Sequence, residues 1–360
     1  MRFSPAMAEP TLLDLPPDAL ERRLEALGCP AYRGRQIAVA VFRNLASSYE
    51  EITTLPAELR RELAAQIPFT VCDPIDSAES ADGETRKILH RLRDGETIES
   101  VVMGYEDRFT VCVSCQVGCA VGCPFCASGR GGWVRDLGPG EIVSQALHAA
   151  RAAAAAGRRL THVVYMGMGE PFANYDAVLA SVRILNDPRG LGLGARSFTL
   201  STAGDVPGIE RLAGERLQVN LAVSLHAGDN ELRSSLIPLN RRYPLDALLR
   251  ACRSYVESTH RRITFEIALI DGVNDGARCA EEVARRLRGL LCHVNLIPWN
   301  PVPHNEWRRS GSAAVKTYER VLQDAGIPTT IRDSRGVEIQ AGCGQLRSRH
   351  AAGGPAPATR

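Results

Sequence analysis

The chain of 360 residues is 44% hydrophobic and 23% charged, and its formal net charge is only +2. This composition is typical of a soluble protein with a hydrophobic core, and the length exceeds that of one average domain. No run approaches the roughly 20 apolar residues of a membrane helix, and no basic start precedes an apolar run at the N-terminus. The sequence therefore predicts a cytoplasmic protein. Its net charge is close to zero, so the electrostatic field of the whole molecule does not indicate a nucleic-acid partner.

The N-terminal part of the chain reads as a small helical module. Leucines at helical spacing over residues 20–27 are followed by Gly28, a residue that commonly ends a helix. A second helix is expected over residues 36–42, and a third near Pro56, since proline suits the first helical position. No catalytic group stands out here, so the module is expected to pack or to dock substrate.

A hairpin is expected after this module. The polar stretch 73–84 predicts a linker or loop. Asp94-Gly95 then separates two strand-like runs, and this dipeptide favours a two-residue hairpin turn because both positions tolerate positive φ. Glu99 falls on the second strand of that hairpin.

Strands alternate with helices from Val111 onward. Such alternation predicts a parallel sheet with right-handed crossovers, and chemistry on such sheets gathers at the carboxyl ends of the strands. The expected fold is α/β, a partial (β/α)6 TIM-like barrel of about six strands. After a first strand at Val111, the expected strands are 161–166, 197–200, 219–224, 263–269 and 294–297.

Eleven cysteines stand in the chain. A reducing cytoplasm disfavours a disulfide framework, so metal binding or thiol chemistry is the better explanation. The densest group is Cys119, Cys123 and Cys126, three thiols within eight residues. Structural zinc takes four tight ligands, and ferredoxin clusters take four cysteines at other spacings. Three ligands leave one iron of a [4Fe–4S] cluster open to a substrate, and the spacing resembles that of radical S-adenosylmethionine (SAM) enzymes.

The resemblance implies that the open iron binds the amino and carboxylate groups of SAM, and that one electron then releases a 5′-deoxyadenosyl radical. Gly169 and Glu170 follow the next strand and resemble the SAM amino-group motif of this superfamily. Glycine lets a backbone approach a ligand, and a carboxylate accepts hydrogen bonds from an ammonium group. Residues after later strands are expected to hold the ribose, carboxylate or adenine of SAM: Ser201, Ser224, Leu225, His226 and Asn300.

Longer strings resemble the RlmN/Cfr family of RNA methyltransferases over about residues 33–346. A cysteine seven residues before the triad and a C-terminal Cys-Gly-Gln-Leu distinguish this family from the wider superfamily. The matching strings are Cys112-Val-Ser-Cys-Gln-Val-Gly-Cys119, Gly167-Met-Gly-Glu-Pro171, Leu200-Ser-Thr202, Ser224-Leu-His226, Gly272-Val-Asn-Asp275, Asn295-Leu-Ile-Pro-Trp-Asn-Pro301 and Gly342-Cys-Gly-Gln-Leu346.

The family resemblance implies a mechanism with two cysteines and two molecules of SAM per turnover. Cys343 takes a methyl group from one SAM, and a radical made from the second activates that S-methyl group toward the adenine ring. Cys112 releases the resulting protein–RNA adduct by forming a disulfide with Cys343. Glu99 matches the position of the family's general base. The chemistry is reasonable, because carbon 2 of adenine is electron-poor and cannot attack SAM as a nucleophile, whereas a carbon radical can add to it.

The implied partners are 23S rRNA, tRNA and an external electron donor of the flavodoxin or ferredoxin kind, and the protein is expected to be a monomer. The close alternative is a Cfr-type enzyme, which methylates carbon 8. Trp299-Asn300-Pro301 and the intact Gly169-Glu170-Pro171 favour the carbon-2 branch. A more distant alternative is a non-catalytic RNA-binding or zinc protein on the same fold, which would have lost at least one of these cysteines or Glu170.

Cys115 stands where serine is common in the family. It is expected to be inert because the triad is already complete.

The predicted division of the chain is a helical accessory domain (1–70), a linker and hairpin extension (71–110), the barrel with its catalytic C-terminal loop (111–346) and a flexible tail (347–360).

Overall fold

The computed structural model describes residues 10–69, 72–303, 305–332 and 334–347. The expected C-terminal tail lies outside the described residues from position 348 onward. The division into four segments stays a prediction, although the hydrophobic core runs without a break from the N-terminal helices into the sheet.

Three short α-helices lie in the described part of the N-terminal module, as expected. Pro17 occupies the first position of α1, and Gly28, with a φ of 77°, follows its end. The Arg151 side chain connects this module to the rest of the chain, because it donates hydrogen bonds to the carbonyls of Leu45 and Ala46. The helices are α1 (Pro17–Ala26), α2 (Tyr32–Ala38), which continues as a π-helical turn (Val39–Arg43), and α3 (Ala57–Gln66).

The expected linker is wrong over most of its length, because Cys72–Glu79 is strand β1. It pairs antiparallel with β2 (Thr85–Leu92), which forms the predicted hairpin with β3 (Thr97–Gly104). β1 is exposed on both faces and carries a register shift next to Pro74. An edge strand of this kind is stabilised by backbone hydrogen bonds to one neighbour, so its sequence lacks the apolar alternation that marks a half-buried strand.

The α/β fold with a largely parallel sheet is confirmed. In the part of the chain that the structure describes, the sheet has ten strands in the order β1-β2-β3-β4-β7-β8-β9-β10-β11-β12, and every pair from β4 to β12 is parallel. The hairpin is thus the antiparallel edge of the same sheet, and one short strand lies beyond the six expected. The parallel strands are β4 (Phe109–Cys112), β7 (His162–Tyr165), β8 (Phe198–Thr202), β9 (Asn220–Ser224), β10 (Ile263–Leu269), β11 (Cys292–Pro298) and β12 (Thr329–Ile331).

Helices follow the parallel strands along the chain. Their apolar faces contribute to one core with the sheet, in which Ile142, Val182 and Val283 are fully buried. A two-stranded sheet of β5 (Gln116–Gly118) and β6 (Trp133–Asp136) frames the cysteine loop. The helices are α4 (Ala127–Arg130), α5 (Pro139–Ala155), α6 (Tyr175–Asn186), α7 (Val206–Ala213), α8 (Asn230–Leu236), α9 (Leu245–Thr259), α10 (Ala277–Leu287) and α11 (Ser312–Asp324). Among the described residues, no helix combines the length and apolar character needed to span a bilayer.

Candidate active site

A cavity of about 960 Å³, here called the main cavity, opens at the carboxyl ends of the parallel strands. Parallel strands present the residues at their carboxyl ends along one edge, which is why motifs far apart in the chain meet here. The predicted residues that line it are Cys119, Cys123, Cys126, Gly169, Glu170, Ser201, Ser224, His226, Asn300 and Cys343. The triad, the Gly-Glu motif and the C-terminal cysteine therefore share one cavity.

The cysteine loop is fixed at both ends. Gly118 precedes it with a φ of 78°, and a Cβ atom added there would lie 1.9 Å from the carbonyl oxygen of Gly132. Only glycine fits so close an approach. Farther along, the indole Nε1 of the buried Trp299 donates a 3.0 Å hydrogen bond to the carbonyl of Phe125. The end of β11 thus holds the loop in place from the opposite side of the barrel.

The thiols of the triad fit an iron–sulfur cluster, because three of the thiolate ligands that such clusters use face one cavity. Burial raises the pKa of Cys119 to about 12 and that of Cys123 well above its usual value. A bound metal centre would hold these thiols deprotonated. Within the described ranges, no three histidine, cysteine, aspartate or glutamate side chains are grouped to hold a single metal ion.

Glu170 is positioned by backbone hydrogen bonds. Its carboxylate accepts from the N–H groups of Phe172 at 3.0 Å and Ala203 at 2.7 Å. Burial nevertheless raises the pKa of Glu170 to about 7. A cationic ligand in the cavity would favour the ionised form again. The preceding Gly169 has a φ of 106°, and a Cβ atom there would lie 2.8 Å from the Sγ atom of Cys115.

The other predicted SAM-binding residues differ in what their side chains do. Ser201 and Ser224 lie at the ends of β8 and β9 and line the main cavity. The Leu225 side chain is fully buried in the core and is absent from the residues that line this cavity. His226 accepts a 3.0 Å hydrogen bond at Nδ1 from the N–H of Ala268, and burial lowers its pKa to about 3. The imidazole is therefore neutral.

Cys343 is exposed on a turn, and the turn is tethered on both sides. The amide of Asn300 donates a 3.2 Å hydrogen bond to the Cys343 carbonyl, and the Ala127 N–H donates a 2.7 Å bond to the carbonyl of Gly344. Cys343 also lines a second cavity of about 550 Å³ together with Cys112, the last residue of β4. We call it the Cys112–Cys343 cavity. Burial raises the pKa of Cys112 to about 12.

Glu99 does not line the main cavity or the Cys112–Cys343 cavity. It is 1% exposed, lies 3.3 Å from the Nζ atom of Lys87 and accepts a 3.0 Å hydrogen bond from the backbone N–H of Arg347. It borders a separate cavity beside Gln340. The C-terminal segment thus lies on the Glu99 carboxylate in this conformation.

Arg233, on α8, is a fully buried arginine that was not among the residues predicted from the sequence. Its guanidinium donates to the carbonyls of Leu225, Ser224 and Ala203 and to the side-chain oxygen of Asn240, at 2.7–3.1 Å. It therefore ties together the chain segments that follow β8 and β9. Burial lowers its pKa to about 10. The feature of the sequence that could have pointed to Arg233 is its position, because it is a charged residue shortly after the Ser224–His226 motif.

Replacing Arg233 with methionine is expected to lower the free energy of unfolding by about 3 kcal/mol, because buried carbonyls lose their donors. Urea denaturation followed by circular dichroism measures this change. Arg250→Met, at an exposed position of α9, is the matched control and is expected to cost under about 0.5 kcal/mol. Equal losses in the two variants would contradict the assigned role of Arg233.

Two more residues of the main cavity were missed, Glu266 on β10 and Arg332 after β12. Burial raises the pKa of Glu266, and the nearby Arg332 guanidinium opposes that shift. In the sequence Glu266 is one charged residue within an apolar strand and Arg332 directly follows a short strand, and only the assembled sheet brings them together.

The fold and the cysteine cavity define the class of protein. The family model of the radical SAM superfamily matches residues 113–285, a range that contains the three-cysteine loop and strands β7 to β10. This chain is a radical SAM protein. The class implies a [4Fe–4S] cluster and SAM, and Cys119, Cys123 and Cys126 are the residues that fit the cluster.

Comparison with curated proteins narrows the class. The chain is 49% identical to the probable dual-specificity RNA methyltransferase RlmN of Chloroflexus aurantiacus, over 96% of this chain and 94% of that protein. Identity to the protein of the same name from Moorella thermoacetica is also 49%, over 93% and 96% of the two chains. A solved radical SAM methyltransferase from Sphaerobacter thermophilus is 56% identical with a TM-score of 0.93, covering 94% of this chain and 99% of that one. The chain belongs to the RlmN family of radical SAM methyltransferases.

Proposed function

We propose that this enzyme methylates carbon 2 of a specific adenine in RNA through an S-methylated Cys343. The observation that carries the proposal is the position of Cys343, which lines both the main cavity with the three-thiol loop and the Cys112–Cys343 cavity. One thiol can therefore face bound SAM on one side and the resolving cysteine on the other.

The reaction begins with an ordinary displacement. The Cys343 thiolate attacks the methyl group of a first SAM, its proton goes to solvent, and S-adenosylhomocysteine leaves. A second SAM then occupies the main cavity, where Gly169 and Glu170 would bind its amino group and Ser201, Ser224, His226 and Asn300 its remaining polar groups. Two molecules of SAM are thus used per turnover.

The cluster, when bound, supplies the electron that releases a 5′-deoxyadenosyl radical from SAM. The 5′-deoxyadenosyl radical takes one hydrogen atom from the S-methyl group and becomes 5′-deoxyadenosine, which leaves a methylene radical on Cys343 that adds to carbon 2. The adduct then loses the proton of carbon 2 to a base and one electron, which the oxidised cluster would take up, and the adenine is joined to Cys343 by an S–CH2 bridge.

Cys112 completes the turnover. Its thiolate attacks the Cys343 sulfur, so an S–S bond forms and the S–C bond breaks, and the electron pair left on carbon takes up a proton to give the methyl group. A flavodoxin- or ferredoxin-like donor supplies the electron for SAM cleavage, and a two-electron reductant reopens the disulfide. This need for reduction supports a cytoplasmic location, since cytoplasmic disulfides are characteristically transient.

Glu99 is the proposed base for the proton of carbon 2. Its carboxylate is covered by the N–H of Arg347 in this conformation, so the C-terminal segment must move before RNA can reach it. Cys343 lies on the same segment, and its flanking glycines allow the turn to rearrange between the two SAM reactions.

The proposed substrates are 23S rRNA and tRNA, on the basis of the dual-specificity RNA methyltransferases to which the chain is similar. Membership of this family favours carbon 2 over carbon 8.

The test is an anaerobic reaction of the reconstituted enzyme with methyl-labelled SAM, a reductant and unmodified 23S rRNA or tRNA. Nuclease digestion and mass spectrometry are expected to identify 2-methyladenosine, and Cys343→Ala is expected to form none because it lacks the methyl carrier. 8-Methyladenosine would move the enzyme to the Cfr-type reaction. Absence of any methylated adenosine, from protein that cleaves SAM, would refute the RNA assignment.

A further inference from the structure

Glu266 lines the main cavity, and one of its carboxylate oxygens accepts no hydrogen bond from the described residues. The side chain is 6% exposed, and its Oε1 atom accepts a 2.9 Å hydrogen bond from the amide of Asn295 on the neighbouring strand. The Oε2 atom is buried and accepts no hydrogen bond from the described residues. Its nearest cation is the Nη1 atom of Arg332 at 3.7 Å, which is beyond hydrogen-bonding distance. A buried acceptor left in this state is costly, so a ligand that donates to it is expected.

Arg332 brings unused donors to the same place. Its side chain is 37% exposed, and its guanidinium makes no hydrogen bond within the part of the chain that the structure describes. It lines the main cavity, the Cys112–Cys343 cavity and a third cavity of about 350 Å³. The pair thus offers one acceptor oxygen beside a planar group with several N–H donors, and both side chains line the main cavity together with Cys343.

A ligand that complements this pair must carry a donor next to an acceptor in one plane. The edge of a 6-aminopurine has this pattern, since its amino group donates and the adjacent ring nitrogens accept. In nucleic-acid recognition a carboxylate accepts from an exocyclic amino group and a guanidinium donates to a ring nitrogen, and enzymes that modify a base commonly bind its polar edge in a pocket.

Both SAM and the RNA target contain adenine, and the third cavity favours the RNA. It leads from Arg332 and Cys343 to Tyr105 and Arg335, and the Arg335 guanidinium lies 4.4 Å from the centre of the Tyr105 ring. Arginine beside an aromatic ring is typical of surfaces along which nucleotides pass. We propose, on the basis of the function proposed above, that Glu266 and Arg332 recognise the target adenine: Glu266 accepts from its 6-amino group and Arg332 donates to a ring nitrogen.

The test combines a protein change with a base change. RNA with adenosine at the target position is compared with the same RNA carrying purine riboside, which lacks the 6-amino group. For the wild-type enzyme we expect kcat/KM to fall by about 10- to 100-fold on loss of the amino group, the value of one hydrogen bond to a charged acceptor. In Glu266→Gln, whose neutral amide oxygen is a weaker acceptor than the carboxylate, we expect kcat/KM on adenosine RNA to fall and the difference between the two RNAs to shrink.

Controls separate this role from others. Glu257→Gln, at an exposed position of α9, is expected to keep the wild-type preference between the two RNAs. The dissociation constant for SAM and the extent of Cys343 methylation are expected to be unchanged in Glu266→Gln. Arg332→Met, at a partly exposed position, is expected to lower kcat/KM on adenosine RNA at least about tenfold with unchanged SAM affinity.

The outcomes are distinct. Weaker SAM binding with the wild-type preference intact in Glu266→Gln would show that the pair serves the adenine of SAM, and this would overturn the inference. An unchanged preference with normal SAM binding would overturn it as well. Should the wild-type enzyme methylate neither RNA, the proposed function fails before any variant is compared. If Glu266→Gln does not fold, the kinetics and SAM affinity of Arg332→Met decide the matter.

Discussion

Replacing Cys112 with alanine is expected to leave the enzyme covalently joined to its RNA substrate. The Cys112 thiol is the proposed agent that breaks the bond between Cys343 and the base, and the two cysteines line one cavity. Without that thiol the S–CH2 bridge has no partner to attack it, and turnover stops after one event. A band of protein plus RNA on a denaturing gel, labelled from methyl-labelled SAM, measures the effect, and we expect product release to fall by at least about 100-fold.

The matched control is Cys279→Ala, a half-buried cysteine of α10 that is absent from the lining of both cavities. It is expected to release methylated RNA at the wild-type rate. The double variant with Cys112→Ala and Cys343→Ala is expected to form no adduct, because the methyl carrier is gone. Normal product release by Cys112→Ala would refute its resolving role, and an adduct that persists in the double variant would place the methyl group on another residue.

Loss of any one thiol of the triad is expected to abolish iron binding and SAM cleavage together. Cys119→Ala, Cys123→Ala and Cys126→Ala each leave two thiolates in the loop, which is too few to retain a cluster whose fourth iron position is left to substrate. Iron and sulfide analysis after anaerobic reconstitution, with the visible absorption spectrum, measures retention. We expect wild-type protein to bind about four irons and each variant to fall close to zero.

Cys115→Ala is the control for this series. Cys115 is 2% exposed, and its thiol packs against Gly169. Cys115 itself is not among the residues that line the main cavity. The variant is therefore expected to bind iron as the wild type does, with a modest loss of stability of about 1 kcal/mol for the buried sulfur that is removed. Loss of iron in Cys115→Ala, with retention in a triad variant, would show that the ligand set has been assigned to the wrong cysteines.

The candidate residues that depended on local spacing were the easiest to predict. Cys119, Cys123 and Cys126 lie within one loop, so their common position follows from a few bonds of chain. Gly169 and Ser224 lie at the ends of parallel strands, and strand–helix alternation already implies that such ends meet. Leu225 shows the limit of this reasoning, since its side chain points into the core although it belongs to a matching motif.

Residues whose role depends on distant contacts were harder to predict. Glu99 lay on the expected strand, yet only the structure shows its carboxylate under the N–H of Arg347. Arg233 follows the Ser224–His226 motif and Glu266 is the one charged residue of β10, but neither position along the chain shows that the side chain is buried or what it contacts. Strand β1 was not predicted for a related reason. An exposed edge strand is stabilised by backbone hydrogen bonds to its neighbour, so its sequence carries no apolar alternation.

The sequence by itself therefore determined the class of chemistry, through a three-thiol loop, and the α/β architecture, through the alternation of strands and helices. Both are properties of short segments, and short segments are governed by local geometry and apolar periodicity. The tertiary structure alone decided that Cys112 and Cys343 line one cavity, that Glu99 is covered, and that Glu266 and Arg332 face each other without a hydrogen bond. These relations depend on the order in which the ten described strands pair in the sheet. The register of each pair of strands fixes which side chains meet across the barrel.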